Sequence, residues 1–108
     1  MAVLRATQFD ARLLTSTSYI TLYTVPSGHV IILKSIALRN YATVNNTFNV
    51  RLGTAPNFFV KVLGVGGGDT SAYEFRPWIV VGPGQTIQAT VSNSTGIGVI
   101  LSGSILYI

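Results

Sequence analysis

Along most of this chain apolar and polar residues alternate with the period of two that marks a half-buried β-strand, and helical spacing is essentially absent. The cleanest alternation spans residues 47–53, where Phe48, Val50 and Leu52 face one way and Asn49 and Arg51 the other. Residues 19–25 form the first clear strand. Pro26-Ser27-Gly28 ends it, proline fixing φ and glycine admitting a positive φ. A long strand follows from residue 29 to 40. Ile36 and Leu38 lie on one side of it, with Ser35, Ala37 and Arg39 on the other, but residues 30–33 (VIIL) are apolar on both. A strand apolar on both faces needs cover on each, so Ile31 and Leu33 become candidates for contact with a partner.

Further strands are predicted over residues 58–63, 71–76, 78–81, 86–92 and 97–108. Between them lie Thr54-Ala55-Pro56-Asn57, the glycine-rich run 64–69 (GVGGGD), Gly82-Pro83-Gly84-Gln85 and Asn93-Ser94-Thr95-Gly96. Seven or eight strands with turn signals about every 8–12 residues predict an all-β antiparallel β-sandwich, jelly-roll-like. Its expected core is Ile36, Leu38, Phe48, Val50, Leu52, Ile87, Val91 and Leu101. Trp78, beside Ile79, Val80 and Val81, is expected in the core or at an interface. Residues 1–18 read as an N-terminal arm, with Leu4, Phe9, Leu13 and Leu14 as anchors for a neighbouring subunit or lattice. A terminal segment ordered only by contact with the fold is the alternative. The sandwich domain is then 19–108, expected to fold without the arm.

Composition changes this picture in one respect. Only ten of the 108 residues are charged, seven basic and three acidic, where about a quarter is typical of soluble domains. A domain of this size has much surface for its volume, so a coat this poor in charge suits burial against other copies or proteins. A homo-oligomer is expected on this ground. The net charge of +4 comes from scarce acids, since the basic residues are scattered singly without a cluster. That argues against nucleic acid as a partner. The chain has no cysteine, no stretch resembling a signal peptide, and no apolar run near the length of a membrane span.

No catalytic, metal or cofactor site is predicted. His29, the one histidine, follows a turn and lacks the companions that a metal or a nucleophile relay requires. Asp69 and Glu74 are too isolated to read as a glycosidase pair. The glycine run lacks a P-loop lysine and does not open a helix.

Leu22-Tyr23-Thr24-Val25-Pro26-Ser27-Gly28-His29, followed by Lys34-Ser35-Ile36-Ala37-Leu38-Arg39-Asn40, resembles a pattern in small structural proteins of tailed bacteriophages. Gly84-Gln85-Thr86-Ile87 and Ser102-Gly103 continue the resemblance, although Gln85 stands where those proteins commonly carry an acid. The resemblance implies a virion component: a capsid decoration or cement protein, a head-fibre base or a tail-associated module, commonly trimeric. Its partners would be itself and other virion proteins such as the major capsid or tail proteins. A lectin-like, glycan-binding module of a phage fibre is the alternative, distinguished by whether exposed aromatic rings cluster on one rim.

Overall fold

The computed structural model describes residues 3–65 and 71–107, so most of the glycine-rich run, including Asp69, lies outside the described residues. The fold is all-β, with strands β1 (Val3–Leu14), β2 (Ile20–Thr24), β3 (His29–Asn40), β4 (Asn46–Leu52), β5 (Asn57–Leu63), β6 (Ala72–Phe75), β7 (Ile79–Val81), β8 (Thr86–Val91) and β9 (Ile97–Tyr107). One sheet has the order β1-β9-β3-β6, with β7 also pairing β3; the other has the order β2-β8-β4-β5. Every pairing is antiparallel. β6 and β7 pair with successive halves of β3, Ile36–Arg39 and Ile31–Leu33, and so act as one strand interrupted at Pro77-Trp78. Counted this way, two four-stranded sheets share the chain, consecutive strands changing sheet except at the β4–β5 hairpin, which is the jelly-roll arrangement.

Inward side chains follow the predicted alternation. Ile36, Leu38, Phe48, Val50, Ile87, Val91 and Leu101 are buried, and Leu52 packs half-buried against them. Fully burying a side chain of this size contributes about 1.5–3 kcal/mol. The two sides of the sandwich are closed differently. On one, Phe59 of β5 stacks on Phe75 of β6 at 3.9 Å between ring centroids. On the other, Phe9 meets Tyr23 at 5.1 Å, and the Arg12 guanidinium donates to the Leu22 carbonyl at 3.4 Å. Buried Asn40 locks the loops above β3: its side-chain NH₂ donates to the carbonyls of Val44 and Gly64, both at 3.0 Å, while its oxygen accepts from Ala42 N–H.

The N-terminal segment corrects the expectation of an arm. Val3–Leu14 pairs along its length with β9 and forms the edge of the first sheet. Phe9 and Leu14 are buried in the core of their own chain, so they are not anchors for a neighbour. Ile31 and Leu33 are corrected likewise: both are fully buried between the sheets. The outward apolar residues of that stretch are Val30 and Ile32, each half-buried. Of the six residues picked as interface candidates, Leu13 is the exposed one; Leu4 pairs with Leu106 through β1, and its side chain lies outside the described residues.

Candidate functional site

The outer faces of the two sheets differ sharply. On the second sheet, outward positions carry Thr21, Thr47, Asn49, Arg51, Gln88 and Thr90, with Val60 and Val62 confined to edge strand β5. Such a face is at ease in water. On the first sheet two rungs are mainly small and apolar, Ala11–Ile100–Ala37, which ends on Glu74, and Ala6–Ser104–Ile32–Val80, while Leu13 and Gly98 run on to Arg39 and a polar rung of Gln8, Ser102 and Ser35 lies between. Leu13, Ile100 and Val80 are 51%, 44% and 64% exposed. With strands about 4.8 Å apart and about 3.4 Å per residue, strands of 12, 11, 12, 4 and 3 residues give the whole face, its polar rung included, roughly 700 Å². Exposed apolar side chains are thus spread across the first sheet, whereas on the second they keep to β5.

That face is crossed midway by a line of backbone irregularities. β1 carries an extra residue at Phe9, between the Gln8–Ser102 and Asp10–Leu101 pairs. β3 carries one at Lys34, between the Leu33–Gly103 and Ser35–Ser102 pairs. Bulges on both neighbours of β9 bend the sheet locally, and the interruption between β6 and β7 falls at the same level. β3 approaches β9 so closely here that a Cβ on Gly103 would lie 1.9 Å from the Ile32 carbonyl oxygen. Only glycine fits. The outcome is an open, shallow groove of about 530 Å³ lined by Ala6, Gln8, Lys34, Ser102 and Ser104 around Gly103.

Trp78 stands beside this groove. Of the two places expected for it, core or interface, the core is excluded: the ring is 64% exposed and the backbone has φ at +52°. A bulky residue in the left-handed region costs about 1–3 kcal/mol and persists where the surroundings impose it. Pro77, with φ fixed, precedes it, and the Lys34 ammonium lies 5.0 Å from the centre of its ring. This pairing belongs to a wider pattern. Arg5, Arg39, Arg51 and Lys61 also lie over the rings of Tyr107, Tyr41, Tyr19 and Tyr73, while Arg12 and Arg76 pair with Asp10 at 2.6 Å and Glu74 at 3.1 Å. All seven basic residues therefore have a partner within the chain. The scattered positive charge does not converge into a phosphate-binding track.

Titratable groups show no catalytic constellation among the described residues. His29 Nδ1 lies 2.8 Å from the Ser27 carbonyl, and its ring meets the Tyr107 ring edge-on at 4.4 Å. Glu74 is held below the usual carboxylate range by the hydrogen bond from Arg76, then by that from Ser35. Burial, and secondarily Tyr107, pushes the Tyr23 phenol up. No group of three or more His, Cys, Asp or Glu side chains gathers as metal ligands among the described residues. No family model, curated protein or solved structure matches the chain.

Proposed function

We propose that this protein is a structural component of a bacteriophage virion, a capsid decoration or cement protein or a head- or tail-associated module, acting through protein–protein contacts without catalysis. The observation that carries the assembly reading is the outer face of the first sheet, where exposed Leu13, Ile100, Val80 and Trp78 are spread among polar positions, set against the more polar outer face of the second. The whole face, apolar rungs and polar rung together, has roughly 700 Å², close to the ~800 Å² that each partner contributes to a standard interface. The jelly roll suits the role, since two flat faces and closed sides offer docking surfaces without disturbing the core, but a fold alone assigns no function. The virion assignment, and with it a trimer built of identical subunits, rests on the sequence resemblance around Leu22–His29 and Lys34–Asn40. Immunogold labelling of purified particles, together with light scattering of the isolated protein across dilution, tests the proposal. Labelled particles and an oligomeric protein are expected. A protein absent from particles and monomeric at high concentration would overturn it.

Glycan binding has one observation in its favour, the exposed Trp78 ring beside a groove bearing Gln8 and Ser102. The other exposed rings do not join it: Tyr73 stacks on Phe59 of β5. Tyr41 follows the end of β3 that pairs with Ile97, whereas Tyr107 pairs with His29 at the opposite end of the sheet. Rings spread in this way suit contact across a face better than a sugar-binding rim.

A further inference from the structure

We propose that the uncovered face binds a second copy of this chain, with Trp78 of each subunit seated in the groove over Gly103 of its neighbour. The proposal rests on the assembly reading and specifies its contact. Knob and groove lie on the same face, side by side, separated by Lys34, which lines the groove and stands 5.0 Å from the indole ring. A two-fold axis lying in the interface and passing between them brings each indole opposite the other subunit's groove. Such a surface is self-complementary, as an interface between identical subunits requires. This contact is two-fold, so it makes a dimer where the resemblance implied a trimer.

Size and chemistry agree with this occupant. A groove of about 530 Å³ has room for an indole, and Ala6 together with the Lys34 stem supplies apolar walls. Gln8 and Ser102 offer oxygens that can accept the indole N–H, which otherwise would lose its water on burial. The flanking rungs, Ala11–Ile100–Ala37 and Ala6–Ser104–Ile32–Val80, are small or apolar and let two sheets approach, with the Glu74 carboxylate at the edge of the first rung, where it pairs with Arg76. The left-handed backbone that holds Trp78 away from its own core is what an anchor presented to a partner requires. Tryptophan is also the residue most enriched among those that dominate binding energy.

Trp78 is the chain's single tryptophan, so its fluorescence reports its surroundings directly. On concentrating the wild-type protein from dilute solution, association by light scattering should coincide with a blue shift of emission and loss of iodide quenching. Trp78→Gly removes the ring and relieves the left-handed strain, so its melting temperature should be unchanged or higher. Its dissociation constant should nevertheless rise at least ~30-fold, the loss expected of a dominant anchor. Ser102→Arg, which fills the groove, should weaken association comparably. Assembly that leaves Trp78 fully quenchable, or that survives both substitutions undiminished, would overturn this contact while leaving the assembly reading intact. A wild-type protein that stays monomeric throughout overturns this contact; if it is also absent from particles, the assembly reading falls with it.

Discussion

Gly103→Ala should destabilise the fold by about 3–5 kcal/mol, a large effect for a single methyl group. The added Cβ would sit 1.9 Å from the Ile32 carbonyl oxygen and 2.9 Å from the Lys34 nitrogen, where Cβ contacts essentially never fall below 3.0 Å. Both atoms belong to the backbone of β3, so no side chain can swing aside. To clear the contact, β3 must withdraw from β9 by roughly an ångström, yet it is held on its far side by β6 and β7. Two ladder hydrogen bonds around the bulge then weaken or break, at about 1 kcal/mol each. Distortion of a packed sheet adds about 1–3 kcal/mol. Unfolding entropy for 108 residues is about 0.23 kcal/mol per kelvin, so the melting temperature should fall by about 15 °C. Urea and thermal unfolding followed by far-ultraviolet circular dichroism measure both quantities. Gly84→Ala is the control. Gly84 has φ at +78° with no atom near its would-be Cβ, so only the left-handed backbone is penalised, by about 1–2 kcal/mol. A Gly103→Ala variant as stable as the Gly84→Ala variant would refute the close approach of β3 to β9.

Phe48→Ala, which empties a fully buried site at the centre of the second sheet, should cost about 3–5 kcal/mol in urea unfolding. Deleting residues 1–14 removes buried Phe9 and Leu14 and strips β9 of a partner; the truncated chain should fail to give a cooperative melt, and a near-normal melt would show β1 to be dispensable. Glu74 has its folded pKa lowered chiefly by Arg76, so its contribution is present above the unfolded carboxyl value and is lost as pH falls through the depressed folded value. The side chain is exposed and the contribution small; a carbon-13 titration of the Glu74 carboxyl should show the lowered midpoint, and Arg76→Ala should return it to the ordinary range.

What the sequence by itself determined is the local grammar. β3, His29–Asn40, has the predicted limits, and Gly28 has the positive φ, +75°, that the Pro26-Ser27-Gly28 turn called for. The inward residues of β4 and β8 follow from a strict period of two, because each of these strands buries one face against the other sheet and wets the other. The period fails wherever a bulge intervenes, and there the tertiary structure decided. In β1 the extra residue at Phe9 puts Phe9 and Leu14, five positions apart, on the same buried side. An odd spacing among charged neighbours does not read as a strand. In β3 the extra residue at Lys34 does the same to Leu33 and Ile36, and the run before it reads as apolar on two faces although Ile31 and Leu33 fill the core. Trp78 sits in an apolar run and looks like core until the break after β6 turns it outward in a left-handed conformation. The groove needs two bulges, a glycine and a strand interruption from four parts of the chain. No local pattern encodes it, because register between distant strands, set only when the sheets pack, aligns those four features in one line.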